Sequence, residues 1–122
     1  MLGYVTIGTN DLPRAAAFYD AIAGEMGGKR IMENDNFIAW GPTDGNPGFG
    51  VTIPFDGQRA TPGNGQMIAL IADDRAEVNR IHALALSLGA TDEGAPGERF
   101  TGFYAGYFRD LDGNKVSAFM MG

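Results

Sequence analysis

The chain writes one supersecondary pattern twice, and that repetition limits its architecture more than any other feature. Residues 3–8 alternate as a strand, with Tyr4 and Thr6 on one side and Val5 and Ile7 on the other. Thr9-Asn10-Asp11 then offers helix-capping side chains, and Pro13 falls in the first turn, where its missing N–H costs nothing. A helix is expected next, because Leu12, Ala15, Ala16, Tyr19, Ile22, Ala23 and Met26 recur at spacings of three and four until Gly27-Gly28 stops it. The second half repeats the order. Residues 66–72 read as a strand, with Met67 and Ala69 facing one way and Ile68 and Leu70 the other. Asp74-Arg75-Ala76-Glu77 has the form of a capping box, Val78, Ile81, Ala85 and Leu88 make the apolar stripe, and Gly89 ends the helix.

Each half continues into strands. Residues 36–40 and 49–53 flank a turn containing Asp44-Gly45-Asn46, and residues 103–109 and 115–120 flank Asp112-Gly113-Asn114. Asp-Gly marks hairpins because glycine reaches positive φ without a Cβ clash. Tyr4 and Met67 are 63 residues apart and Asp44 and Asp112 are 68 apart, so the halves align as βαβββ modules with an insertion in the second. Module one covers about 1–55, a polar Gly/Pro-rich hinge covers 54–65, and module two covers about 66–122. A module of about sixty residues buries too little surface to be comfortable alone, so 1–122 is expected to be a single domain.

Composition narrows the function classes. Fifteen acidic residues against nine basic ones give a net charge of −6, which repels nucleic-acid phosphate and modestly favours cationic ligands. The chain has no cysteine, which removes disulfides, thiolate metal sites and a cysteine nucleophile. No apolar run is long enough to span a membrane, and Met1-Leu2-Gly3-Tyr4-Val5 lacks the features of a signal peptide. A cytoplasmic protein with no nucleic-acid or membrane partner is expected.

Two segments carry a family resemblance. Tyr4-Val5-Thr6-Ile7-Gly8-Thr9-Asn10-Asp11-Leu12-Pro13-Arg14, followed by Ala17-Phe18-Tyr19, resembles the opening of a vicinal oxygen chelate protein. That superfamily includes glyoxalase I, the bleomycin and fosfomycin resistance proteins and the extradiol dioxygenases. Tyr107-Phe108-Arg109-Asp110-Leu111-Asp112-Gly113-Asn114 is similar to its closing aromatic-x-Asp-Pro-Asp-Gly-Asn hairpin, with Leu111 where proline is usual. The resemblance covers essentially the whole chain. It implies an α+β fold in which two βαβββ modules form a half-open eight-stranded barrel around a ligand cavity, helices outside. It also implies a homodimer.

Family members usually hold one divalent metal in that cavity. Carried over position by position, the resemblance puts the ligands at Tyr4, Met67 and Ser117, with a fourth at Val51 or Gly50. A phenol with a pKa near ~10, a thioether and an alcohol are poor ligands for a hard divalent ion. A one-residue shift offers Gln66 but no carboxylate on the final strand. No metal and no other cofactor is therefore expected.

The remaining polar residues have structural readings. His82, the only histidine, falls beside the apolar stripe of the second helix, where a surface or boundary role is expected. Ser117 has no base near it in sequence, Asp110 and Asp112 bond turn backbone, and Asp73-Asp74 caps a helix. Gly63-Asn64-Gly65 precedes a strand, whereas phosphate cradles precede a helix. No catalytic residue can be named.

The cavity wall is more telling. Parity turns Tyr4, Thr6, Met67, Ala69, Ser117 and Phe119 inward, while Val5, Ile7, Ile68, Leu70, Val116 and Ala118 pack under the helices. Trp40, Phe103, Tyr104, Tyr107 and Arg109 lie on neighbouring strands whose facing the pattern leaves open. Tyr4, Thr6, Trp40, Met67, Tyr107, Arg109, Ser117 and Phe119 are the candidate ligand-binding set, suited to an apolar or aromatic small molecule held by few hydrogen bonds. Residues 92–102 read as a long loop able to fold over the cavity, with Glu98, Arg99 or Phe100 touching a ligand, or simply to connect. Three functions remain open: metal-free binding of a small organic ligand, a glyoxalase-like lyase or isomerase with a non-standard site, and a structural or regulatory dimer with a filled cavity.

Overall fold

Local sequence places both helices where capping and periodicity require, as a computed structural model describing residues 1–44 and 47–122 shows. Helix α1 (Leu12–Glu25) starts at Asp11, whose carboxylate accepts from the Arg14 N–H at 3.1 Å, and carries Pro13 in its first turn. Helix α2 (Arg75–Ser87) starts at Asp74, which accepts from the Glu77 N–H at 2.8 Å. Glu77 reaches back one residue further than the capping box anticipates, accepting from the backbone of Asp73. Gly27 and Gly89, both at positive φ, follow the helix ends.

The chain divides into two compact units, Met1–Pro62 and Gly63–Gly122. In the first, β1 (Tyr4–Gly8), β2 (Lys29–Glu33), β3 (Phe37–Gly41) and β4 (Gly48–Thr52) form a four-stranded sheet in the order β1-β4-β3-β2. In the second, β5 (Ile68–Ile71), β6 (Thr91–Phe100), β7 (Phe103–Arg109) and β8 (Lys115–Met121) form a sheet in the order β5-β8-β7-β6. The first strand pairs parallel with the last in each, and the other pairings are antiparallel. The doubled pattern is thus two βαβββ modules of one topology.

One face of each sheet packs against its own helix. Under α1 the core is aromatic: Trp40 stacks on Phe49 at 5.7 Å, and Tyr19 meets Phe49 edge-on at 5.0 Å. Under α2 it is mostly aliphatic, with Val78, Ile81, Ala85, Val116 and Ala118 buried around a single aromatic ring, Phe108. Each large apolar side chain so buried contributes roughly 1.5–3 kcal/mol.

Three expectations change. Residues 92–102 are not a loop: most of the segment is β6, hydrogen-bonded to β7 with register shifts between Asp92 and Gly94, Gly94 and Gly97, and Glu98 and Phe100. Gly94, Pro96 and Gly97 read as loop residues, yet bulges on an edge strand accommodate them, and the missing Pro96 N–H falls where pairing is interrupted. His82 is not at the surface but 5% exposed, because β6 runs beside it: its Nε2 lies 3.1 Å from Asp92 Oδ1 and 3.2 Å from the Tyr107 carbonyl. Val5, expected beneath a helix, is exposed because β1 is a sheet edge. Of the two Asp-Gly-Asn turns, the one at 44–46 lies, at Gly45 and Asn46, outside the described residues. The other is built by Asp110, whose Oδ1 accepts from the Asp112 and Asn114 N–H groups at 2.9 Å each.

Candidate functional site

The helix-free face of each sheet carries the candidate residues. In the first unit, Tyr4 lies opposite Gly48 and Thr6 opposite Gly50 across the β1–β4 pair. The missing side chain of Gly50 makes room for the Phe37 ring, which a Cβ there would strike. Tyr4 packs on Phe37 at 5.9 Å and remains 52% exposed, and Thr6 is exposed beside it. Trp40 does not join them. It is 1% exposed on the α1 side of the sheet, and its Nε1 donates to Asp20 Oδ1 at 2.8 Å. Asp20 also takes a bidentate pair from Arg30, at 2.9 and 2.8 Å, and that guanidinium holds its carboxyl below the usual carboxylate range. Trp40 is therefore part of the packing beneath α1.

In the second unit, Tyr107 and Ser117 are register partners across β7 and β8, and Ala69 lies beyond Ser117 on β5. Register partners share a face, so Tyr107, Arg109, Ser117 and Phe119 stand together on the side away from α2. Met67 precedes β5 with the parity of Ala69 and is exposed. Ser117 is 1% exposed. Two cations lie over the Tyr107 ring, each 5.3 Å from its centroid: the Arg99 guanidinium from β6 and the Lys115 ammonium from β8. Arg109 pairs with Glu93 and donates to the Gly113 carbonyl at 3.1 Å. The Arg109 guanidinium in turn holds the Glu93 carboxyl below its ordinary value. Phe100, Phe103 and Phe119 form a stack, with centroids 4.8 and 5.7 Å apart and ring planes within 20°.

Parity thus assembles Tyr4 with Thr6, and Met67, Ser117 and Phe119 with Tyr107 and Arg109. Lys115, Phe103 and Glu93 complete the second face and were not among the candidates. Lys115 was legible, since it lies two residues before Ser117 and alternation gives it the same facing. Glu93 is not legible, because the Gly- and Pro-bearing segment around it has loop chemistry in the sequence.

The implied chelating positions do not fit a divalent metal. Val51 is buried beneath α1, Gly50 lies under Phe37, and Tyr4, Met67 and Ser117 offer a phenol, a thioether and an alcohol. Among the described residues, no three His, Cys, Asp or Glu side chains gather as a metal site. What the faces offer is aromatic surface, hydroxyls and fixed cations, which is binding chemistry.

Comparison with known proteins agrees with this layout. The family model described as Glyoxalase/Bleomycin resistance protein/Dioxygenase superfamily matches residues 1–118. A glyoxalase/bleomycin resistance protein from Albidiferax ferrireducens is 34% identical, with a TM-score of 0.91 over 100% of this chain and 99% of that one. A glyoxalase/bleomycin resistance protein/dioxygenase family enzyme from Burkholderia phytofirmans is 21% identical, with a TM-score of 0.80 over 98% of each chain. A lactoylglutathione lyase from Agrobacterium tumefaciens is 22% identical, with a TM-score of 0.72 over 98% of this chain and 92% of that one. At those last two identities the likeness concerns the fold alone. No curated protein matches the chain. No helix among the described residues is long and apolar enough to cross a membrane.

Proposed function

Because this chain belongs to the glyoxalase/bleomycin resistance protein/dioxygenase superfamily, we propose that it uses the family fold to bind a small organic molecule without a metal. One observation carries the reading: the chelating positions hold a phenol, a thioether and an alcohol, while aromatic and cationic groups line the helix-free faces around them. The proposed contacts are Tyr4 and Thr6 on the first unit's face, and Met67, Tyr107, Arg109, Ser117 and Phe119 on the second's. Trp40 is left out of that set, since its ring is enclosed beneath α1. We also propose a cytoplasmic homodimer. Strands β1 and β5 are sheet edges, and each carries exposed apolar side chains, Val5 and Ile71 among them, that a second copy would cover.

The test is a thermal-shift library of small organic acids, alcohols and amines, run beside metal analysis of the purified protein. A ligand of the folded state raises Tm by mass action, by roughly 2.7 kcal/mol of added stability at a hundredfold excess over Kd. The expected result is a set of stabilising compounds whose effect EDTA leaves unchanged. A stoichiometric divalent metal whose removal abolishes binding would overturn the proposal, as would a library with no stabilising member.

A further inference from the structure

The second unit's helix-free face carries a charge opposite to that of the whole chain. The chain has a net charge of −6, yet Arg99, Arg109 and Lys115 cluster there against a single carboxylate, Glu93. Glu93 is committed to Arg109. Arg99 is held differently: its two terminal nitrogens donate to the Gly97 and Ala95 carbonyls at 3.0 and 2.7 Å, which fixes the guanidinium without neutralising it. Lys115 lies over the Tyr107 ring and is close enough to Glu93 to lower its pKa, but forms no ion pair among the described residues. Two cations from the strands flanking β7 therefore converge on one aromatic ring, and among the described residues neither is held in an ion pair.

The backbone is shaped for this convergence. At Gly94, the register partner of Tyr107, a Cβ would lie 3.1 Å from the Tyr107 ring and 3.3 Å from the Arg99 guanidinium. Glycine leaves the space in which ring and cation approach. Phe119 is two residues beyond Ser117, hence diagonal to Tyr107 across the β7–β8 pair, about 7–8 Å away by sheet geometry. There it ends the stack formed with Phe103 and Phe100. A charged rim thus adjoins an aromatic floor.

We infer that the ligand class of this face is an aromatic carboxylate, its anionic head held by Arg99 and Lys115 and its ring laid against Tyr107 and the Phe119–Phe103 stack. This inference rests on the binding function proposed above. Carboxylates gain charge-assisted hydrogen bonds from guanidinium and ammonium groups, and a cation already fixed over a ring loses little freedom on accepting one. The cations on this face, within a Debye length of about 8 Å of a ligand there, weigh more in its choice than the net charge of the chain.

Three probes sharing one ring system test it: 2-naphthoate, 2-naphthalenemethanol and 2-naphthylmethylamine, titrated calorimetrically into the full chain. Naphthoate should bind at least about tenfold more tightly than the alcohol, a difference of roughly 1.4 kcal/mol, with the amine weakest. Arg99→Met and Lys115→Met, both on partly exposed side chains, should each cut naphthoate affinity by about tenfold and leave alcohol affinity within about twofold. Circular dichroism and Tm of both variants check that the fold is retained. Equal or tighter binding of the alcohol or amine overturns the inference, as does naphthoate binding that both substitutions leave intact, or no naphthoate binding at all. If the broader library yields only neutral or cationic ligands, the carboxylate assignment alone fails. If it yields none, the binding function fails with it.

Discussion

Asp20 shows how a single side chain joins packing to charge. It takes the Trp40 indole N–H and the Arg30 guanidinium on one carboxylate, so the only tryptophan and an edge strand are tied to the same helix. The Arg30 and Asp20 side chains are 34% and 45% exposed, so solvent screens the pair and the contribution is modest. Asp20→Asn should cost about 1 kcal/mol at pH 7, read from urea unfolding. Arg30 lowers the folded-state pKa of Asp20, so this contribution is present above the ordinary aspartate value and is lost as pH falls through the lowered one. The gap between wild type and variant should therefore close in acid, and a gap independent of pH would show that the charge is not its source. None of this was legible from the sequence. Asp20 and Arg30 are ten residues apart, and nothing local says that strand β2 will lie beside the third turn of α1.

Secondary structure was legible where local chemistry decides it and obscure where pairing does. Both helix starts followed from their caps, and Asp74 tests that logic at the scale of an element. Asp74→Ala should destabilise by about 1 kcal/mol, whereas Asp74→Asn, which keeps the acceptor for the Glu77 N–H, should retain most of the stability. Equal losses in the two variants, measured by chemical denaturation, would show that the carboxylate's charge rather than its hydrogen bond supports α2. Strand β6 is the counterexample. Gly94, Pro96 and Gly97 carry loop chemistry, and only hydrogen bonds supplied by β7, interrupted at bulges, make the segment a strand. The burial of His82 and the ion pair of Glu93 with Arg109 are equally invisible in the sequence, because both depend on where β6 lies.

For the whole molecule, the exposed apolar side chains on edge strands β1 and β5 bear on assembly. Light scattering on a sizing column should return twice the mass of one chain at micromolar concentration, and Ile71→Lys should shift it toward one. A wild-type mass of one chain would remove the dimer from the proposal. The doubled βαβββ order, the helix caps, the closing Asp110 turn and the chemistry missing from the chelating positions can all be read from the residues in their order. Those depend on residue type and on spacings of two to four residues, which a chain carries before it folds. That Trp40 belongs to the packing under α1, and that Arg99 and Lys115 meet over Tyr107, emerges once the chain is folded. Those facts arise from which strands become neighbours, and strand pairing joins residues that sequence separation leaves unrelated.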